Sequence, residues 1–200
     1  SADPRVVDNP RVIDYITYTE LRELSYMGAS VLHEDAIFPV REAGIPINIR
    51  NTNRPGDPGT MIAAAVPEGM SRPVVTGVAG RKGFTNVLVE KSMMNAQVGF
   101  GARLLQIFAE NGVAFEHCPS GIDTMSVIVS TEHFEPVRDA VLVAIQRDLE
   151  PEAISLQEGF AMLAVVGQGM VRSRGTAARV FKALADADVN IRMIDQGSSE

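Results

Sequence analysis

The stretch Met94-Asn95-Ala96-Gln97-Val98-Gly99-Phe100-Gly101-Ala102-Arg103 returns, altered, as Met170-Val171-Arg172-Ser173-Arg174-Gly175-Thr176-Ala177-Ala178-Arg179, and this recurrence decides the fold. Placing Gly99 on Gly175 sets an offset of 76 positions. The same offset pairs Met94 with Met170, Ala109 with Ala185 and Val113 with Val189. Conservative pairs fill the gaps: Leu104 with Val180, Leu105 with Phe181, Glu110 with Asp186, Phe115 with Ile191. A run of matches that keeps helical spacing marks an internal repeat, so two copies of one supersecondary unit are expected.

Each copy is expected to open with a strand (Asn86–Lys91; Ala161–Val166), pass through a glycine-bearing loop into a helix, and leave by a second strand (Val113–His117; Val189–Met193). In the first copy the turn Ser120-Gly121-Ile122-Asp123 leads to a strand at Met125–Val129. A helix follows from about His133 to Leu149, with Val137, Val141 and Ile145 on one face. That order is most of a ferredoxin-like βαββαβ unit. The offset carries Thr124 onto position 200, so the second copy is expected to continue beyond Glu200. The apolar run Val74–Ala79 is left over and is expected to complete the second copy's sheet.

Upstream the pattern differs. Thr17-Tyr18-Thr19-Glu20 is a capping box, in which hydroxyl and carboxylate each satisfy the other residue's backbone N–H. Leu21, Leu24, Gly28, Val31 and Leu32 follow at helical spacing, and a second helix is expected to stop at Gly44. Ile45, Ile47 and Ile49 alternate with polar or turn residues as in a half-buried strand. The turn-rich Asn51–Gly59 precedes a strand at Thr60–Val66, and Pro67–Pro73 has linker composition. The expected division is therefore 1–66, a linker at 67–73, a completing strand at 74–83, a first repeat unit at 84–150 and a second at 151–200.

Composition sets outer limits. Hydrophobic residues make up 46% and charged residues 22% of 200, which suits a chain with a packed core. A net charge of −7 without a basic run argues against nucleic acid or an anionic membrane as partner. No apolar stretch approaches the ~18 residues of a membrane span. One cysteine, Cys118, cannot form an internal disulfide, which suits a reducing cytoplasm. His33, His117 and His133 lack partners at ligand spacing, so no structural metal is expected.

Three segments then point to one family. Ser1-Ala2-Asp3-Pro4-Arg5 resembles the (T/S)xDPR motif near the end of the aspartate kinase catalytic domain. Met27-Gly28-Ala29-Ser30-Val31-Leu32-His33 is similar to that family's GAKVLH helix end, and Asn51–Thr60 to its NTxxPxxPGT closure. The tandem repeat resembles the paired ACT regulatory domains that follow. The fold implied is α/β: the end of an amino-acid-kinase domain, then ferredoxin-like ACT units of α+β character. The activity implied is transfer of the ATP γ-phosphoryl group, with Mg2+ accompanying the nucleotide, to the β-carboxylate of L-aspartate. This is the first step toward lysine, threonine and methionine.

The resemblance assigns Ser1, Asp3, Arg5 and Ser30 to the nucleotide side. A guanidinium suits phosphate oxygens, although Asp-Pro-Arg alone also reads as a surface turn with an Asx cap. Ser30 departs from the pattern, since many members carry a lysine there. The family's N-terminal lysine- and glycine-bearing motif and its aspartate-binding residues would precede Ser1, so no catalytic residue is assigned here and the 200 residues alone are not expected to turn over. The resemblance also implies an effector amino acid, lysine ahead of threonine. It would be held by Met94, Asn95, Gln97, Val98, Gly99, Phe100 and Gly101 of one unit and Phe115, Glu116 and His117 of a neighbouring unit. Homo-oligomers through the ACT domains would follow. A stand-alone amino-acid-binding module and a bifunctional relative fused to homoserine dehydrogenase are the alternatives.

Overall fold

The computed structural model describes residues 2, 3, 5–29, 32, 34–70 and 73–196, and only the backbone of 34–36. The chain divides into two compact units, Ser1–Arg81 with Leu163–Glu200, and Lys82–Met162.

The second of these is a complete βαββαβ unit. Strand β4 (Gly77–Glu90) leads through a 3-10 turn at Met94–Ala96 into helix α3 (Phe100–Glu110), then strands β5 (Phe115–His117) and β6 (Thr124–Ser130). Helices α4 (Thr131–Phe134) and α5 (Arg138–Leu149) follow, and strand β7 (Ala153–Val166) closes it. The sheet order is β5-β6-β4-β7, the ferredoxin-like arrangement in which the first and third strands occupy the centre. Strands β4 and β6 run antiparallel from Phe84 opposite Ser130 to Glu90 opposite Thr124.

Alternation along those strands decides which face is covered. Val87, Val89, Val127 and Val129 are fully buried and meet Leu104, Ile107 and Phe108 of α3 and Val141, Ile145 and Leu149 of α5. The rings of Phe108 and Phe134 stack with centroids 6.3 Å apart. The Lys91 ammonium donates to the Leu149 carbonyl, placing a cation on the α5 C-terminus, where the helix dipole favours it.

The repeat holds position for position. Shifted by 76, Gly77–Glu90 becomes Ala153–Val166 and Phe100–Glu110 becomes Thr176–Asp186, which are the bounds of β7 and of helix α6. Gly83 and Gly159 both sit in the left-handed region, at φ 93° and 79°, as do Gly99 and Gly175 at 81° and 79°. These left-handed residues explain one difference from the sequence reading. Val74–Ala79 and Asn86–Lys91 are not separate strands: β4 passes through Gly83 without ending, because glycine turns there at little steric cost. Strand β7 likewise begins at Ala153 rather than Ala161.

Other differences have local causes. The expected helix from His133 is broken at Glu135–Val137 into a 3-10 turn containing Pro136, which has no N–H to give the helix ladder. Residues 189–193, expected as the second unit's returning strand, form no strand. Helix α6 is amphipathic, yet Phe181 stays 38% exposed and only Thr176 is buried.

The other unit contains a three-stranded sheet in the order β1-β3-β2. Strand β3 (Thr60–Ala63) lies parallel to β1 (Tyr15–Thr17), which the sequence reading missed, and antiparallel to β2 (Ile47–Ile49). Ile45, at 53% exposure, stays outside the strand. Helices α1 (Tyr18–Tyr26) and α2 (Glu34–Glu42) accompany this sheet, and the chain reverses at Gly44, φ 67°. Ile16, Tyr18, Leu21, Leu24, Ile37 and Ile62 form the core, joined by Ala79 and Val166. Among the described residues no helix is long and apolar enough to cross a membrane.

Candidate functional site

The repeat loop between β4 and α3 is held at both ends and open in the middle. Met94 and Phe100, 6% and 3% exposed, are anchored in the core. Between them Asn95, Val98 and Gly99 are exposed and Gln97 is half-buried. The loop is pinned from below: the Lys91 N–H donates to the Asp123 carbonyl (2.9 Å), the Met93 N–H to Asp123 Oδ1 (2.9 Å) and the Asn95 N–H to the Ile122 carbonyl (3.1 Å). Met93 itself takes φ 63°, an unusual conformation for a side chain of its size.

Gly99 is the N-cap of α3, and no side chain caps this end. Backbone N–H groups at such a start have no helical acceptor and form a ready site for a carboxylate. Gly101 lies in the first turn, where an added Cβ would stand 3.2 Å from Met125 Cε. Val98 is 98% exposed, so the loop presents an apolar side chain beside these amides.

Strand β5 forms the sheet edge, with a bulge between Phe115 and His117 in its pairing with β6. Phe115 is 49% exposed, while Glu116 and His117 are half-buried. Phe115 also borders an open groove of about 530 Å3 along α3, lined by Ala102, Leu105, Gln106, Ala109 and Val113. The sequence reading did not single out this groove. Its small residues on an amphipathic helix were the available signal. Burial pushes the thiol of the following Cys118 upward in pKa.

On the nucleotide side, Ser1 and Ser30 lie outside the described residues, as does His33. Asp3 and Arg5 form an Asx turn: the Arg5 N–H donates to Asp3 Oδ1 at 2.8 Å. The guanidinium folds back with Nε and Nη2 on the same carboxylate, at 3.0 and 2.6 Å. That hydrogen-bonded pair lowers the Asp3 pKa to about 2. Asp3 and Arg5 thus form a turn whose arginine is exposed to solvent. Among the described residues no three His, Cys, Asp or Glu side chains converge as a metal site would require.

The profile of the amino acid kinase family matches residues 1–51, and that of the ACT domain matches residues 163–200. Aspartokinase 3 of Bacillus subtilis is 43% identical across the whole chain, which covers 44% of that protein. The crystal structure of Clostridium acetobutylicum aspartate kinase is similar with a TM-score of 0.93 and 48% identity, over 100% of this chain and 46% of that one. Escherichia coli aspartokinase III, solved in complex with aspartate and ADP, matches at TM-score 0.77 and 25% identity, over 99% of this chain and 44% of its own. The chain thus spans less than half the length of these relatives. With its three upstream motifs and its position-for-position repeat, the chain is similar along its whole length to aspartate kinases.

Proposed function

We propose that the protein carrying this chain transfers the γ-phosphoryl group of ATP to the β-carboxylate of L-aspartate, and that this chain supplies part of the nucleotide side and the amino-acid sensor. The whole-length similarity to Clostridium acetobutylicum aspartate kinase carries the reading. The aspartate and ADP bound by the Escherichia coli enzyme agree with it. In such a transfer a carboxylate oxygen attacks the γ-phosphorus, ADP leaves, and an acyl phosphate is formed. Catalysis then rests on positioning and charge stabilisation. Arg5, within residues 1–66 at the kinase end, brings a fixed positive charge whose Nη1 donors remain for phosphate; Asp3 orients it. Ser1 and Ser30 complete this side. Magnesium enters with the nucleotide phosphates, and the enzyme works in the cytoplasm.

The loop 94–101 and strand 115–117 belong to the first ACT domain (84–150). Uncapped α3 amides would take the effector's carboxylate, and Glu116 of a neighbouring copy would take its ammonium. Lysine is preferred over threonine because it adds a second ammonium for an acidic surface to hold. Edge strand β5 and the adjoining groove would receive a second copy of the chain. A coupled assay of ADP formation in the whole protein, with aspartate and with lysine or threonine added, tests the reading. Aspartate-dependent turnover that lysine suppresses is expected; turnover with another acid but not aspartate would overturn it.

A further inference from the structure

Glu20 does more than cap α1. Its side chain is buried, with the residue 4% exposed, and both oxygens are used. Oε2 accepts from the Thr17 N–H at 3.0 Å and the Thr17 hydroxyl at 2.9 Å, which closes the capping box. Oε1 accepts from the Thr76 hydroxyl at 2.7 Å and from the Gln168 backbone N–H at 3.2 Å. One carboxylate therefore ties the start of α1 to the strand entry at Thr76 and to the second repeat loop. That loop lies tight against the strand entry. A Cβ on Gly167 would fall 2.8 Å from the Thr76 nitrogen and closer still to the Val74 carbonyl, and one on Gly169 2.8 Å from Val74 Cα.

The repeat shows what is unusual here. Shifted by 76, Thr76, Val166 and Gln168 correspond to Glu152, Glu90 and Ser92. The Glu152 N–H donates to the Glu90 carbonyl at 2.9 Å, as the Thr76 N–H does to Val166 at 2.8 Å. In the first copy the Ser92 N–H then donates to Glu152 Oε1, at 3.2 Å. The entry of the adjacent strand β7 thus satisfies the loop after β4 with its own side chain. In the second copy Thr76 has no carboxylate, and Glu20 of the kinase-end helix supplies it.

We infer that Glu20 is a coupling residue: through its borrowed carboxylate, the position of the second repeat loop (167–173) is transmitted to α1 and so to residues 27–29 that follow it. The inference rests on the regulated-kinase reading only for the identity of the effector. A charge-assisted hydrogen bond has one preferred geometry. A shift of the loop must therefore either carry α1 along or break the Gln168 N–H bond to Glu20, and coupling between sites is carried by such contacts.

The test uses the whole protein with Glu20→Gln and Thr76→Val. Glutamine keeps one acceptor oxygen and cannot serve both sides; valine removes the Thr76 donor and leaves the Thr17 cap intact. Amide exchange at Gln168 and Met170 is measured with and without a non-hydrolysable ATP analogue, and inhibition by lysine and threonine is titrated. Wild-type exchange at these amides is expected to respond to the nucleotide by about tenfold, and both variants to abolish the response while uninhibited turnover stays within about threefold. Half-inhibition should need about tenfold more effector in the variants. A nucleotide response that survives in both variants, or is absent from wild type, overturns the inference. If neither amino acid inhibits wild type, the effector reading fails, and the exchange measurement still decides the coupling.

Discussion

Leu104 and Val180 occupy one position of the repeat in two different environments, so shortening each to alanine gives a graded test of the fold. Leu104 is fully buried and packs in the core with Phe108, Val127 and Val141. Removing its outer carbons forfeits roughly 2.4 kcal/mol of transfer free energy at ~0.8 per carbon, and the cavity left behind raises the loss to about 3–4 kcal/mol. For a unit of this size that corresponds to a fall in Tm of about 12–32 °C. Val180 is only half-buried. Its two methyls, about half removed from water, give ~0.8 kcal/mol. Thermal unfolding by circular dichroism measures both losses, and amide exchange at Val127 and Val129 reports the unit to which Leu104 belongs. Equal losses from the two variants, or a loss below about 1 kcal/mol from Leu104→Ala, would refute the burial argument.

Glu20 gives a pH dependence of definite sign. Burial alone would raise its pKa, but hydrogen bonds from Thr17, Thr76 and Gln168 outweigh burial and hold it below the ordinary value of 4.5. A depressed folded-state pKa contributes stability that is present above the unfolded value and lost as pH falls through the folded one. Urea midpoints should therefore decline as pH drops below about 4.5, and Glu20→Gln should flatten that decline. At the other end of the chain, the Asp3 carboxyl should titrate near 2 by NMR and rise toward the ordinary carboxylate range in Arg5→Gln, which keeps only the backbone N–H bond. Gly167→Ala should cost about 1–3 kcal/mol by urea unfolding, because the atoms it meets are backbone and cannot swing aside.

The repeat, the ferredoxin-like order and the Thr17–Glu20 cap were legible because each depends on spacing within a short window. The cap needs four residues, and the helices need only their apolar period. What escaped depended on partners distant in sequence or on backbone conformation. Nothing in Arg81-Lys82-Gly83 says that a strand continues through it; that follows from the neighbouring ladders and a left-handed glycine. Strand β1 has three residues, too few for a period, and exists because Tyr15–Thr17 pair with Met61–Ala63. The second half of Glu20's role depends on residues 56 and 148 positions away. For the candidate site, the loop and its glycines could be found from the repeat. The core anchoring of Met94 and Phe100 could not be told from ligand contact until the packing was known.

The proposed amino-acid sensor requires loop 94–101 and strand 115–117 to bind an effector together. A 15N chemical-shift titration of the chain with L-lysine, with L-threonine run in parallel, decides whether they do. Saturable shifts at Val98, Gly99, Gly101 and Glu116, stronger for lysine and weakened by Gly99→Val, are the expected result. No shifts at millimolar lysine or threonine in the folded chain, or shifts confined to residues outside these two segments, would contradict it.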